Sequence, residues 1–253
     1  MYEQLKNHVA LVTGAGSGLG EATARALAGA GCTVACVDIN QAAVERLVGE
    51  LQARDCEGLA LTCDVSDANA VFGAVDAVVR RFDRLDIVVN CAAVDHTLAV
   101  EELTVAQWDQ VLGINLRGPF LFAKAAMPIM RRQRRNPDDG RGGQIINIAS
   151  TAATRAWANA APYHASKWGL VGLSRALGVE GRPDNIRVTT IIPGGMRTHF
   201  FDRFAAQGIP MPDEQNLQDP ATVAETILFA LCLPPQSVMQ EVLVTPLNES
   251  SWP

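Results

Sequence analysis

Residues 9–20 read VALVTGAGSGLG and hold four glycines within seven positions. The apolar start predicts a buried strand over Val9–Thr13, and a helical pattern follows over Leu19–Ala30. Glycines between a strand and a helix allow a tight turn and let backbone N–H groups approach a phosphate at the positive end of the helix. The stretch therefore predicts a phosphate-binding loop. Its expected contacts are Gly14, Ser17, Gly18, Leu19 and Gly20.

The rest of the chain repeats this alternation of strand and helix. Apolar runs predict six further strands: Thr33–Asp38, Leu59–Asp64, Ile87–Asn90, Gln144–Ala149, Arg187–Ile192 and Glu241–Val244. Helical patterns lie between them over Gln41–Arg54, Asp67–Phe82, Val105–Arg131, Pro162–Glu180 and Ala221–Leu231. The runs lack in–out alternation, as expected where helices cover both faces of a parallel sheet. The sequence predicts an α/β fold, a single domain over residues 1–253 with a doubly wound, seven-stranded parallel sheet.

Composition limits the classes of protein that remain. The 253 residues are 48% hydrophobic with a net charge of -6, which excludes extensive disorder and gives no overall attraction to nucleic acid or an anionic membrane. No segment reaches the ~20 apolar residues that span a bilayer, and the start lacks a signal-peptide pattern. The six cysteines form no Cys-x-x-Cys pair, so reduced thiols are expected rather than a metal site or disulfides. We expect a soluble, cytoplasmic protein. For the basic run at 131–135, a solvated helix end and a phosphate patch are the two interpretations.

Further cofactor contacts are predicted after the second and third strands. Asp38 lies eighteen residues after Gly20, where a carboxylate can accept both hydroxyls of an adenosine ribose. It would repel a 2′-phosphate, and neither Ser17 nor Ile39 supplies a cation, so NAD is favoured over NADP. Asp64 and Val65 follow the third strand. The Asp64 side chain is expected to bond the adenine amino group, to cap the next helix, or both.

Tyr163 and Lys167 give the strongest catalytic signal. The chain has only two tyrosines, and a lysine four residues after the internal one lies on the same helix face. An ammonium beside a phenol lowers the phenol's pKa from about 10 toward neutrality, which makes it a usable acid and base. The lysine also offers three donors to ribose hydroxyls. Both Tyr163 and Lys167 are expected to contact the cofactor as well. Ser150, thirteen residues before Tyr163, can hydrogen-bond a substrate carbonyl or alkoxide.

The glycine loop, Asp38, Ser150 and the Tyr163–Lys167 pair together resemble the short-chain dehydrogenase/reductase family over nearly the whole chain. The resemblance implies a Rossmann fold with Tyr163 as catalytic base, Lys167 as the residue that tunes it and Ser150 as the substrate-orienting hydroxyl. Further residues match family positions. Asn115 matches the asparagine of a proton relay through water, and the expected cofactor contacts are Asn90, Pro193, Gly194 and Thr198.

Two segments depart from the family's pattern. The chain has Asn90-Cys91-Ala92-Ala93 where the family has Asn-Asn-Ala-Gly, and Ala93 restricts the backbone where glycine would not. Asn90 can still bind backbone and cofactor, and Cys91 is expected to be a small apolar filler. Residues 245–253 replace the family's Asp-Gly-Gly. Subunit contacts at the C-terminus therefore cannot be carried over from the family.

The resemblance implies an oxidoreductase that interconverts a secondary alcohol and a ketone by hydride transfer, with NAD as the expected cofactor. A catalytically silent NAD(H) sensor or scaffold is the alternative, and the intact acid/base set argues against it. A third interpretation, an epimerase or dehydratase with the same Tyr/Lys pair, usually needs a larger domain after the sheet. Only about sixty residues follow Pro193 here.

The substrate is less well determined. Residues 194–219 follow a strand with weak periodicity and form a candidate substrate lid. Loops on the same side carry the candidate contacts Asp95, His96, Trp157, Met196, His199 and Phe200. A surface or packing role is the competing interpretation for the two histidines, and a place in the core is the competing interpretation for Trp157, Met196 and Phe200. Residues 138–147 are similar to a segment of 3-hydroxyacyl-CoA and hydroxysteroid members of the family.

A homo-oligomer is also expected. The helix that carries Tyr163 and Lys167 holds more apolar surface, including Trp168 and Leu173, than one sheet contact needs. Similar proteins pair this helix across a two-fold axis and commonly form tetramers. A dimer or tetramer follows as the expectation.

Overall fold

The computed structural model describes residues 2–133, 142–202, 204, 209 and 211–249. Within these ranges seven strands form one sheet: β1 Val9–Thr13, β2 Thr33–Asp38, β3 Gly58–Thr62, β4 Ile87–Asn90, β5 Gly143–Ile148, β6 Ile186–Pro193 and β7 Glu241–Val244. The strand order is β3-β2-β1-β4-β5-β6-β7, and every neighbouring pair is parallel. The predicted seven-stranded parallel sheet is confirmed. Its order reverses between β1 and β4, where such sheets bind ligands.

Helices connect the strands: α1 Gly18–Gly29, α2 Gln41–Gln52, α3 Ala68–Phe82, α4 Val105–Leu112, α5 Gly118–Gln133, α6 Ala161–Gly181 and α7 Pro220–Leu231. Several begin at a polar side chain that caps the first turn. Asp67 accepts from two backbone N–H groups at the start of α3, and Thr104 and Gln107 form a capping box at the start of α4. Such caps satisfy N–H groups that have no partner inside the helix.

Successive residues of each central strand enter two different apolar layers. In β1, Ala10 and Val12 pack on the face that α1, α2 and α7 cover, whereas Val9 and Leu11 pack on the face that α3, α5 and α6 cover. This period of two places helices on both sides of the sheet. The doubly wound arrangement is thereby confirmed.

The sheet edges differ from the expectation of strands covered on both faces. Strands β1, β4 and β5 are buried throughout, but β3 is half-buried and β7 alternates between exposed and half-buried residues. Both are edge strands, so each has a pairing partner on one side only.

Several predicted element ends are wrong by one or two residues. The strand predicted over Leu59–Asp64 runs from Gly58 to Thr62, because Thr62 pairs with Asp38, the last residue of β2. Strands β5 and β6 each begin one residue earlier than predicted, and β6 extends to Pro193, which pairs with Val244 of β7. The ends of α1, α2, α3, α6 and α7 differ from the predictions by at most two residues.

The helix predicted over Val105–Arg131 is also wrong as a single element. Helix α4 ends at Leu112, a π-helical turn covers Gly113–Arg117, and α5 follows from Gly118 to Gln133. A π-helical turn holds one extra residue and interrupts the α-helical spacing, often at a functional site. The insertion brings Asn115 against the backbone of Val94, as described below.

Two features noted in the sequence lie partly outside the described residues. The basic run at 131–135 begins at the end of α5, where Arg131 pairs with Asp184 at 2.8 Å, and its residues 134 and 135 are not described. Residues 138–141 of the segment that is similar to 3-hydroxyacyl-CoA and hydroxysteroid members of the family are also outside the described ranges. In the part of the chain that is described, no helix is both long and apolar enough to cross a membrane.

Candidate active site

A cavity of about 970 Å³ opens at the carboxyl ends of the strands. Ligands of open α/β sheets bind at this edge. Most of the predicted cofactor and catalytic residues line the cavity: Gly14, Ser17, Gly18, Leu19, Gly20, Asp38, Asp64, Val65, Ser150, Tyr163, Lys167, Pro193, Gly194 and Thr198. Asn90 and Asn115 are described residues that do not line it.

The glycine loop has the shape of an anion cradle. Gly14 has a φ of 65°, and a methyl group there would lie 2.8 Å from the Ala92 amide nitrogen. A methyl group on Gly20 would collide with the carbonyl oxygen of Gly14. Ser17 precedes α1 with an extended backbone and makes no side-chain capping bond, so the first N–H groups of α1 stay open to an anion. The loop therefore fits the pyrophosphate of a dinucleotide.

Asp38 is held in place by the backbone around it. Gly16 N–H donates to its Oδ2 and Asn40 N–H donates to its Oδ1, each at 2.9 Å. Each carboxylate oxygen keeps further lone pairs, which can accept from the hydroxyls of a ribose. The neighbouring Ile39 also lines the cavity and is 70% exposed. Among the described lining residues the cations are Arg155 and Lys167, and neither lies in the loops around Asp38.

The sequence left open that Asp64 caps the helix after β3, and this role is wrong. Asp64 Oδ1 accepts from both the backbone N–H and the hydroxyl of Ser66, at 2.9 and 2.7 Å. Helix α3 begins three residues later, with Asp67 as its N-cap. Asp64 thus closes a local turn after β3, because a short polar side chain can reach a backbone N–H two residues on. Its carboxylate lines the cavity, so the predicted adenine contact stays a prediction.

Tyr163 and Lys167 lie one turn apart on α6 and face the cavity together. The Lys167 ammonium lies 5.5 Å from the centre of the Tyr163 ring and donates to the Ile148 carbonyl oxygen at 2.8 Å. Both side chains are buried, with 8% and 2% of their surface exposed. Burial lowers the pKa of Lys167 from its ordinary 10.5 to about 8. The lysine therefore changes charge close to the neutral range in which Tyr163 has to act.

Ser150 sits on a loop that a buried histidine fixes. It directly precedes a short 3₁₀ turn and accepts from Ala152 N–H at 3.2 Å. His164, next to Tyr163, is hydrogen-bonded through Nδ1 to the Ala152 carbonyl at 2.8 Å and accepts from Trp157 N–H through Nε2 at 3.1 Å. These two bonds require the neutral ring with its proton on Nδ1. Helix α6 thus binds the backbone of the loop that presents Ser150 at two places, Ala152 and Trp157.

The Asn115 side chain is bonded to the loop after β4 and to α6. Its side chain accepts from Val94 N–H at 2.8 Å and donates to the Val94 carbonyl at 2.8 Å and to Ser166 Oγ at 3.1 Å. It is 1% exposed and does not line the cavity. The structure shows Asn115 as a residue that positions the loop after β4. Its predicted part in a proton relay through water stays a prediction.

The Asn90 side chain is also buried. Its amide donates to Asn147 Oδ1 at 2.8 Å, and Asn147 in turn donates to Ser174 Oγ at 2.9 Å. This buried polar chain joins β4, β5 and α6 beneath the catalytic residues. The structure does not bring the Asn90 side chain to the cavity, so its cofactor contact stays a prediction. Sequence reasoning missed Asn147, whose signal was a polar residue between the apolar residues Ile146 and Ile148 of β5.

The substrate candidates divide into lining and non-lining residues. Asp95, Trp157, Met196, His199 and Phe200 line the cavity. His96 does not, and it pairs instead with Gln110 Oε1 at 2.8 Å. His199 also has a surface partner, Asp202, at 2.9 Å, and its side chain is 79% exposed. The Phe200 ring lies 5.5 Å from the Tyr163 ring, which gives the catalytic end an aromatic wall.

Arg155 and Glu249 also line the cavity, although neither was predicted as a site residue. Their side chains form an ion pair at 3.1 Å and are 17% and 14% exposed. Arg155 follows Ser150 by five residues, which is a local signal. Glu249 lies far along the chain, after β7. The pairing across 94 positions has no counterpart in a local sequence pattern.

The cysteines are free thiols, as the sequence predicted. Burial raises the pKa of Cys32, Cys36 and Cys91 to about 12, so these thiols stay protonated and unreactive near neutral pH. Cys91 lines the cavity as a small apolar group. Across the described ranges, no cluster of three or more His, Cys, Asp or Glu residues could hold a metal ion.

Comparisons with known proteins place these features in a family. The family model described as short chain dehydrogenase matches residues 8–207. D-threitol dehydrogenase of Mycolicibacterium smegmatis is 42% identical over 190 residues, which are 75% of this chain and 70% of that protein. The part of the chain that matches the family model contains the glycine loop, Ser150, Tyr163 and Lys167.

Solved structures resemble the whole chain. A 3-ketoacyl-(acyl-carrier-protein) reductase from Brucella melitensis complexed with NADH has a TM-score of 0.85 and 33% identity, covering 97% of this chain and 99% of that one. A metagenomic short-chain oxidoreductase in complex with NADP has a TM-score of 0.81 and 30% identity, covering 96% and 98%. The matching model, the shared Rossmann architecture and the Tyr163–Lys167 pair agree, and this chain belongs to the short chain dehydrogenase family.

Proposed function

We propose that this protein is an NAD-dependent oxidoreductase that interconverts a secondary alcohol and a ketone. The observation that carries the proposal is one continuous cavity with Asp38 at one end and Ser150, Tyr163 and Lys167 at the other. Family membership supports the same reaction type. A nicotinamide cofactor, when bound, supplies the hydride acceptor or donor.

The residues of the chain supply orientation and proton transfer. The substrate oxygen binds between the hydroxyls of Ser150 and Tyr163, both on the cavity wall. Tyr163 takes the proton of the alcohol in oxidation and returns it in reduction. Lys167 favours the ionised phenol by its charge and donates to ribose hydroxyls of the cofactor. The buried pair and the aromatic wall of Phe200 exclude water from the reacting atoms.

The preference for NAD rests on Asp38. Its carboxylate is fixed by two backbone N–H groups, and a 2′-phosphate at the same place would meet its negative charge. Solved relatives include complexes with NADH and with NADP, so the family alone does not select the cofactor. The proposal of NAD therefore depends on this side chain.

Replacing Asp38 by Asn is expected to lower the ratio of kcat/KM for NAD⁺ to that for NADP⁺ about tenfold or more, because the variant removes the charge and keeps an acceptor for Gly16 N–H. The measurement is initial-rate kinetics with both cofactors. Asp76→Asn, an exposed carboxylate on α3 outside the cavity, serves as the matched control. An unchanged ratio in Asp38→Asn would contradict the assignment of cofactor preference to this residue.

The reaction itself is tested by NADH formation from NAD⁺ across secondary alcohols, hydroxysteroids and 3-hydroxyacyl thioesters. Turnover with one class, weak with NADP⁺, supports the proposal. NADH binding without turnover of any class favours the alternative of a sensor or scaffold and contradicts the enzyme.

We also propose that the chain acts as a single cytoplasmic domain and that residues 194–219 cover the substrate. Of this segment, residues 203, 205–208 and 210 lie outside the described ranges, while Met196, Phe200 and Leu217 line the cavity.

A homo-oligomer is expected to form through the exposed side of α6. Trp168 on α6 is 54% exposed and Phe120 on α5 is 44% exposed. Leu112, Leu116 and Leu173 line the groove between α4, α5 and α6. A contiguous apolar surface of this kind favours association. Light scattering at micromolar concentration measures the mass, and a monomer there would contradict the expectation.

A further inference from the structure

His164 is a buried polar residue that directly follows Tyr163 on α6 and takes no part in the proposed reaction steps. It is a described residue that does not line the cavity. Its ring contacts the loop between Ser150 and α6 instead. Nδ1 is bonded to the Ala152 carbonyl oxygen at 2.8 Å, and Nε2 accepts from Trp157 N–H at 3.1 Å. Both ring nitrogens therefore serve the active-site loop.

The Nδ1 bond fixes the residue that holds the Ser150 hydroxyl. Ala152 N–H donates to Ser150 Oγ at 3.2 Å, and the carbonyl of the same residue accepts from His164. Ala152 is fully buried between these two contacts. Because Ser150 Oγ accepts from a backbone N–H, its own hydrogen is left to donate to a substrate oxygen. His164 thus orients the Ser150 hydroxyl through one intervening residue.

The Nε2 bond fixes a wall of the substrate space. Trp157 lines the cavity and is 46% exposed. Its backbone N–H donates to His164 Nε2, and the two rings meet edge to face, with their centres 4.3 Å apart and an angle of 71° between their planes. Aromatic rings attract each other in this arrangement. The two contacts hold Trp157 beside α6, at the turn that carries Tyr163.

We propose that His164 is a positioning residue that sets two parts of the active site separately, the Ser150 hydroxyl through Nδ1 and the Trp157 wall through Nε2. The inference rests on the proposed function and assigns to His164 a role in it. One ring nitrogen must donate while the other accepts, and the neutral imidazole meets both demands at once. A side-chain amide carries its donor and its acceptor at one end, so it can replace either nitrogen but not both.

Two amide variants separate the two bonds, because each keeps one of them. In His164→Gln the longer side chain reaches the place of Nε2 and accepts from Trp157 N–H, while the bond to the Ala152 carbonyl is lost. In His164→Asn the shorter side chain reaches the place of Nδ1 and donates to that carbonyl, while Trp157 N–H loses its acceptor. His8→Gln and His8→Asn are the matched controls, since the His8 ring contacts the Lys6 carbonyl at 3.3 Å outside the cavity.

The kinetic expectation differs between the two variants. His164→Gln should lower kcat about tenfold or more with little change in the KM of the alcohol, because a misplaced Ser150 hydroxyl no longer orients the reacting oxygen. His164→Asn should raise the KM about fivefold or more and change kcat less than about threefold, because the Trp157 wall contacts the substrate away from the reacting atoms. NADH affinity and both histidine-8 controls should stay at the wild-type values.

Hydrogen exchange of the backbone tests the same bonds without turnover. We expect Trp157 N–H to exchange slowly in the wild type, because its acceptor is a buried ring nitrogen. It should stay protected in His164→Gln and lose protection in His164→Asn. The wild-type measurement keeps its value even where a variant fails to fold.

Three results would overturn the inference. These are a wild-type Trp157 N–H that exchanges as fast as an unprotected amide, equal effects of the two amide variants on kcat and on KM, and wild-type kinetics in both variants. Hydride transfer by the wild type in any of these cases would leave the proposed function intact. Absence of hydride transfer from every alcohol in the wild type, with NADH bound, would instead contradict the proposed function.

Discussion

Tyr163→Phe is expected to lower kcat about 10²- to 10⁴-fold while NADH still binds with nearly unchanged affinity. The variant removes one oxygen and keeps the ring that packs against Phe200 at 5.5 Å. Proton transfer at the substrate oxygen then has no side chain to carry it. The cofactor contacts expected at α1 and Asp38 lie at the other end of the cavity and stay in place.

The measurements are steady-state kinetics with the best alcohol of the panel and an NADH titration by fluorescence. Tyr2, the other tyrosine of the chain, supplies a matched control, because its hydroxyl donates to Glu225 at 2.7 Å away from the cavity. Tyr2→Phe should leave kcat unchanged. Near-full turnover by Tyr163→Phe would contradict the mechanism, whereas loss of NADH binding together with turnover would point to a damaged site.

Much of the fold could be predicted because each strand and helix has a local signal. The apolar run at Val9–Thr13 and the glycines after it specify a strand, a turn and a helix in one stretch. Strand ends depend on pairing partners, which a local pattern does not contain. Strand β3 ends at Thr62 because β2 ends at Asp38, and the length of one strand limits its neighbour.

The interruption of the helix after Leu112 was not predicted, because it too depends on a contact between residues far apart in the sequence. The residues from Val105 onward keep a helical pattern, and none of them forbids an α-helix. The π-helical turn is stabilised by the bonds of Asn115 to Val94, which lies 21 positions earlier. Tertiary contacts of this kind override local spacing.

The candidate site divides in the same way. Tyr163, Lys167 and Ser150 could be found because their spacing along the chain is fixed by one helix and the loop before it. Asn90 and Asn115 match family positions, yet the structure turns both side chains into buried networks. The partnership of Arg155 and Glu249 became visible only when the sheet brought Ser150 and the segment after β7 to one edge.

Lys167→Met is expected to lower kcat by a factor comparable to the loss in Tyr163→Phe, since it removes the charge that favours the ionised phenol and the donor to the ribose. Unlike Tyr163→Phe, it should also weaken NADH binding. Lys124→Met, at an exposed position on α5 outside the cavity, is the matched control and should change neither quantity. Full activity of Lys167→Met would contradict the proposed role of this lysine.

The same substitution should change how stability depends on pH. Lys167 is 2% exposed, and burial lowers its pKa from 10.5 to about 8. Below pH 8 the lysine is charged in both the folded and the unfolded chain, so the cost of burying the charge is fully present. Between pH 8 and 10.5 the folded lysine is neutral while the unfolded one keeps its proton. The unfolded state then binds more protons, and the free energy of unfolding rises with pH.

The methionine variant lacks this titration, so it separates the contribution of Lys167 from all other groups. We expect the free energy of unfolding of the wild type, relative to Lys167→Met, to increase by up to about 3 kcal/mol as the pH rises through that window. Urea unfolding of both proteins without cofactor at pH 7, 8, 9 and 10 measures the difference. A difference that stays constant with pH would contradict a buried, titrating lysine. A rising difference together with lost activity would show that the fold accepts a costly buried amine whose benefit lies in catalysis.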